Sequence, residues 1–335
     1  MRSRLVIFFI VGFSLLFGLA IARQIWQSSG RRGPWVEETS LRVLTYSTFA
    51  SAQGPGGSLK KLFEDTCQCK VEFTTVADAG LLLERLSIGR FDVVIGLDQF
   101  MLAGAREKVA WRGFDLTGVD WVPAVEGKVQ EHFLPFDWSP MSFVYRHDDQ
   151  AKPEKLDDLL RSEWKRQFAL QDPRASTPGL QFLNWVRTVK REGAKDFLRA
   201  FKANVNSVSP SWAFSYGLFE KRQTRFVFSY LTSLAFHWQQ EGGREFDILS
   251  FPEGHPVQYE FVGVPDACEQ CDLAAEFVSF LMQPEQQKII MERGFMLPSV
   301  KGVVDGTVFA ELPALKLLDT IVEREFTIWD EVFKN

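Results

Sequence analysis

Residues able to do chemistry gather at a few turns of this chain. QDPRASTPGL, at 171–180, sets Ser176 and Thr177 before a proline and a glycine at the mouth of a helical run. Hydroxyls there can cap the helix or, with its free N–H groups, hold an anion or a hydroxyl tail. TYSTFASAQGPGG puts Tyr46, Ser47 and Thr48 at a strand end, TTVADAG puts Asp78 and Ala79 before a helix, and IGLDQF does the same with Asp98. Later come Trp212, at the head of an amphipathic run, and SYLTS, with Tyr230, Leu231, Thr232 and Ser233. Singly, each has an ordinary role as a cap or a core aromatic. Together they offer hydroxyls for an anion, aromatic faces for a flat or cationic ring, and carboxylates for an amino-substituted heterocycle or a positive charge. One small ligand could meet all three.

Signatures of catalysis are missing from the sequence. His132, His147, His237 and His255 have no metal-ligand spacing, and there is no GxSxG elbow, P-loop or GxGxxG loop. His237, in SLAFHWQQ, reads as a satisfied, partly buried histidine. The expectation is a binding protein without cofactor or metal, not an enzyme. A formal charge of -5 with no clustered Lys/Arg excess excludes a nucleic-acid surface.

The elements that must position these turns alternate. LRVLTY, KVEFTTV and FDVVIGL read as strands, with helices GSLKKLFEDT and GLLLERLSI between them. The middle third repeats the pattern, with FALQ, a helix over 178–191, the helix AKDFLRAFKAN, NSVS, the helix WAFSYGLFEKR, the strand RFVFSY and the helix TSLAFHWQQ; DLAAEFVSFLMQPEQQKIIMER closes as helix. Such βαβ units imply a mostly parallel sheet covered on both faces, with ligands beyond the carboxyl ends of the strands. Two extended stretches, 132–146 and 246–264, are the candidate chain crossings. The expected organisation is α/β with two lobes, one of 41–136 plus 256–335 and one of 137–255, joined by a two-segment hinge around a cleft.

Arg2 and Arg4 precede an uncharged apolar run from Leu5 to Ala22, with Ala20 and Ala22 spaced as at a cleavage site. That reads as an export signal over 1–22, cleaved or kept as an N-terminal membrane anchor, followed by a linker over 23–40. Four cysteines stand as two close pairs, Cys67/Cys69 and Cys268/Cys271. Export permits disulfides. Free thiols and a metal site stay open, as does the pairing.

QDPRASTPGL, SWAFSYGLFEKR, RFVFSYLTSLAFH, the CQC after the first helix, FDVVIGLDQF and LPFDWSPMSFVY resemble, in order and spacing, the periplasmic thiamine-binding proteins of bacterial ABC transporters. The likeness spans 41–300. It implies the type II periplasmic-binding-protein fold, thiamine or thiamine phosphates as ligand, an inner-membrane permease as partner, a periplasmic location and a monomer. Carried over residue by residue, it assigns ligand contacts to Tyr46, Asp78, Ala79, Ser176, Thr177, Trp212 and the group Tyr230 to Ser233. This chain departs from the family pattern at Ser47 (an acidic residue there), Gln53 and Phe295 (tryptophans) and Phe236 (a tyrosine). Phe236 and Phe295 keep an aromatic floor but lose hydrogen-bonding groups. Arg174 could contact phosphate or brace the turn against Asp172. Alternatives are a binder of another anionic solute, such as a phosphorylated metabolite or ferric complex, an exported enzyme acting on a thiamine-like substrate, and an anchored sensor domain.

Overall fold

A computed structural model describes residues 39–115, 118–148, 151–240 and 242–334. The leader or anchor of 1–22 and the linker up to residue 38 lie outside the described residues. Among the described residues, no helix is long and apolar enough to cross a membrane.

Among the described residues, ten strands carry the fold: β1 (Ser40–Tyr46), β2 (Lys70–Val76), β3 (Val93–Asp98), β4 (Leu134–Arg146), β5 (Phe168–Gln171), β6 (Val205–Ser209), β7 (Phe226–Tyr230), β8 (Phe246–Ile248), β9 (Val257–Gly263) and β10 (Leu297–Pro298). The longer helices are α1 (Gly56–Cys67), α2 (Leu82–Leu86), α3 (Leu102–Lys108), α4 (Thr177–Lys190), α5 (Ala194–Phe201), α6 (Trp212–Glu220), α7 (Ser233–Gln240), α8 (Cys271–Leu281), α9 (Pro284–Gly294) and α10 (Thr327–Phe333). The closing helical run is two helices, because Pro284 has no N–H to continue the first and instead starts the second.

Strand order is β2-β1-β3-β9-β4-β7-β5-β6, with β8 and β10 added along β4. β1 pairs in parallel with β2 and β3, and β5 with β6 and β7, as βαβ units require. The expectation of a mostly parallel sheet fails in the middle: β9 runs antiparallel to both β3 and β4, and β4 antiparallel to β7 and β8. These are the crossing stretches, which pass directly between strands without a covering helix. β4 pairs with β9 through Pro140 and with β7 from Met141 on. A proline has no N–H for a ladder, so the change of partner falls where a ladder bond would be missing anyway.

Alternation along β1 sends Leu41 and Val43 to one apolar cluster and Leu44 to another, so the sheet is covered on both faces. The 137–255 segment builds its own core, rich in phenylalanine: Phe143, Phe168, Phe182, Phe201, Phe226 and Phe228 pack edge to face or stacked, with Trp164 and Trp185 beside them. The C-terminal stretch departs from a division drawn by sequence. Residues 313–326 run across the molecule without helix or strand. His255 N donates to the Lys316 carbonyl at 2.8 Å, and Asn184 Nδ2 to the Glu323 carbonyl at 2.9 Å. α10 then packs on α5, with Trp329 and Val332 inside the phenylalanine core rather than with 256–312. Each cysteine pair closes on itself, Cys67 with Cys69 and Cys268 with Cys271.

Candidate functional site

Tyr46 ends β1 beside Gly96, whose φ is +96° and where an added Cβ would fall 2.4 Å from the tyrosine ring. Glycine is required there on both counts. The ring leans on β3, and the hydroxyl donates to Glu260 Oε2 at 2.7 Å.

Asp78 caps a single 3-10 turn, Ala79–Leu81, its Oδ1 accepting from Gly80 N at 3.2 Å. Gly80 lies against the turn before α4: a Cβ there would stand 2.7 Å from the Ala175 carbonyl oxygen. The same close packing explains Gly179, where a Cβ would meet the Gln171 carbonyl at 2.4 Å. Thr177 Oγ1 donates to Asp98 Oδ2 at 2.7 Å, while Asp98 Oδ1 accepts from Phe100 N at 2.9 Å and Met101 N at 3.0 Å. Thr177 and Asp98 therefore hold each other, and QDPRASTPGL is docked onto the strand-end turns of β2 and β3. Ser176 occupies the cap position of α4 without bonding a backbone N–H. Arg174 braces the turn: its Nη1 donates to Asp172 Oδ1 at 2.8 Å and its Nη2 pairs with Asp330 of α10.

Tyr230 ends β7, and its hydroxyl donates to Gln258 Oε1 at 3.1 Å. Gln258 Nε2 donates in turn to Glu260 Oε1 at 2.7 Å. Tyr46, Glu260, Gln258 and Tyr230 thus form one hydrogen-bonded chain across β1, β9 and β7. Trp212 flanks it, its ring centre 4.9 Å from Tyr216 and 6.3 Å from Tyr230, oriented by an Nε1 donation to Ser229 Oγ at 2.8 Å. Ser233 sits 2.8 Å from the same Ser229 hydroxyl, and Thr232 Oγ1 lies 3.4 Å from Ser139 Oγ. Leu231 points into the core with Val144 and Phe219, and its N–H donates to the Pro140 carbonyl. Phe295 packs against Phe236, ring centres 5.0 Å apart, and against Phe309. His237, stacked on Tyr216 and bonded to its hydroxyl at 2.7 Å, is a core histidine.

Acid groups dominate the electrostatics. Burial pushes Asp78 up to about 6 and Glu260 up to about 7, and raises Asp98 and, most strongly, Asp137. Burial, then the field of Glu260, keeps Tyr46 and Tyr230 protonated far above neutral pH. The arrangement concentrates carboxyl oxygens beside aromatic rings, which suits a flat cationic ligand. Among the described residues, no group of three or more Cys, His, Asp or Glu is disposed to hold a metal ion.

Asp137, Gln258 and Glu260 are the site residues that reading the strand ends misses. They lie inside the crossing strands, and the available signal was polar residues at alternate places, Gln258 and Glu260, in the otherwise apolar VQYEFVG.

The model of the bacterial extracellular solute-binding protein family matches residues 76–316. The chain is 35% identical over 265 residues to the thiamine-binding periplasmic protein of Salmonella typhimurium, covering 77% of this chain and 80% of that one. It is 34% identical over 265 residues to the protein of the same name from Escherichia coli, with the same coverage. Among solved structures, a periplasmic thiamin-binding protein superposes with a TM-score of 0.79 at 31% identity, covering 86% of this chain and 92% of that one. The periplasmic binding protein AfuA of Actinobacillus pleuropneumoniae, with fructose-6-phosphate bound, gives 0.72 at 17% identity, over 88% of this chain and 99% of that one. The fold is that of the type II periplasmic binding proteins.

Proposed function

The chain belongs to the bacterial extracellular solute-binding protein family, and from that premise we propose that it captures thiamine or a thiamine phosphate in the periplasm and delivers it to an ABC-transporter permease. The observation that carries this reading is the meeting of Asp78, Asp137 and Glu260 with the rings of Tyr46, Tyr230 and Trp212. Thiamine joins an aminopyrimidine to a permanently positive thiazolium ring and ends in a hydroxyethyl tail. Carboxylates suit the amino group and the cation, aromatic faces suit both rings, and Ser176 with the first N–H groups of α4 suits the hydroxyl or phosphate. The names of the relatives support the same ligand. A bare anion is a poorer match, because buried carboxylates repel it.

Binding proceeds by closure of two lobes, 41–136 plus 256–312 and 137–255 with α10 packed on it, about the crossing strands, in a monomer exported by its leader. The ligand contacts are Tyr46, Asp78, Ala79, Ser176, Trp212, Tyr230, Thr232, Ser233 and Phe295, with Leu231 holding the turn to the core and Thr177 and Asp98 acting through each other. Trp212→Ala separates ring recognition from anion recognition. Calorimetry on the variant should show thiamine binding weakened about tenfold or more, whereas a compact anion would bind it as it binds the parent.

A further inference from the structure

We propose that Asp137 and Glu260, facing each other from β4 and β9, hold one proton between them in the ligand-free protein and release it to solvent when a positively charged organic ring binds. The two are register partners on adjacent antiparallel strands, which sets their side chains on one face of the sheet. Both are buried, at 2% and 5% exposure. Two neighbouring carboxyls out of water cannot both be ionised without a positive partner.

Among the described residues, the groups that act on the pair are neutral or acidic. Tyr46 reaches Glu260 from β1, Gln258 from its own strand, Asp98 from β3 and Asp78 from the turn after β2. Tyr230 stands on the β7 side, within the field of both acids. Arg324 acts on Asp98. Both oxygens of Glu260 accept hydrogen bonds, from Tyr46 and Gln258. Asp137 Oδ1 is buried with no hydrogen-bond partner. A buried carboxyl oxygen left without a donor is costly. A proton carried by the pair removes the second buried charge while the cleft is empty, and a cationic ring offsets that charge when the cleft is filled. Burial lifting Glu260 to about 7 agrees with a proton that is held at neutral pH yet easily displaced. Charge balances: one proton leaves for the buffer and one ligand charge takes its place. The pair then selects positive rings over neutral rings of equal shape.

The choice of probe rests on the thiamine reading, and the test separates the two. The chain is titrated calorimetrically with thiamine at about pH 6.5 in two buffers of different ionisation heat. The expected result is release of ~0.5–1 proton per ligand, abolished in both Glu260→Gln and Asp137→Asn. 3-Deazathiamine, the neutral isostere with carbon in place of the charged nitrogen, should bind at least about tenfold more weakly than thiamine, with the gap largely closed in Glu260→Gln. Thiamine binding with no buffer-dependent heat and the same preference in parent and variant overturns the proposal and leaves the thiamine reading standing. If thiamine does not bind but 1-methylpyridinium does, with proton release, the proposal stands and the thiamine reading falls. Binding of neither cation overturns both.

Discussion

Asp92 and Glu260 are both buried acids, and their surroundings drive them in opposite directions. Burial pushes Asp92 up, but Arg42 and the backbone N–H groups of Arg42, Glu269 and Gln270 all donate to it, and the net effect is a carboxylate held below its usual range. It pins β1 to the loop closed by Cys268 and Cys271. Asp92→Asn should cost about 2–4 kcal/mol in urea unfolding at neutral pH, because Arg42 loses its buried partner and keeps only the exposed Glu269. A depressed folded-state value gives stability that is present above the unfolded value and is lost as pH falls through the folded one. The difference between parent and variant should therefore shrink in acid. Glu260 has the opposite sign: raised from 4.5 to about 7, it stabilises the ligand-free fold below about pH 4.5, and that contribution disappears as pH rises toward 7. Glu260→Gln should flatten the fall in melting temperature over that interval. An unchanged pH slope would show that Glu260 carries no held proton.

At the scale of elements, the docking of one turn on another decides the site. Gly80, from the β2–α2 turn, touches the Ala175 carbonyl of the β5–α4 turn so closely that a Cβ has no room. Gly80→Ala should push the turns apart, weakening ligand binding about tenfold or more while costing about 1–2 kcal/mol or less in stability. A variant that binds as the parent does would show that the contact does not matter for the cleft. Much of this was legible in sequence, since strand ends followed by capped helices name their own turns: Asp78, Asp98, Ser176, Thr177, Trp212 and Tyr230 all stand where alternation and caps put them. What was not legible is who meets whom. Thr177 bonds Asp98 across 79 positions of sequence, and no local pattern carries that. Gln258 and Glu260 were hidden for another reason. Polar residues at every second place of a strand read as a wet face, whereas β9 is buried throughout and its polar face looks onto the tyrosines. Arg174 and Asp172, adjacent in a polar turn, left a choice that only the arrival of Asp330 from α10 resolves.

At the scale of the whole molecule, the 248–257 stretch and the C-terminal stretch 313–326 run against each other, while β4 changes partner from β9 to β7 after Pro140. His255 lies where two of them meet. Burial lowers it to about 4, so it stays neutral, and its Nε2 accepts from Phe251 N at 2.9 Å while its backbone bonds Lys316 and Leu318. Asp137 lies on β4 and faces Glu260 on the neighbouring β9. The most direct test of the account is calorimetry of the purified chain with thiamine, thiamine monophosphate and thiamine diphosphate, followed in parallel by tryptophan fluorescence. The account predicts saturable one-to-one binding of at least one of the three, with a fluorescence change that is lost or reduced in Trp212→Ala. No heat and no fluorescence change with any of them at high micromolar concentration would contradict it.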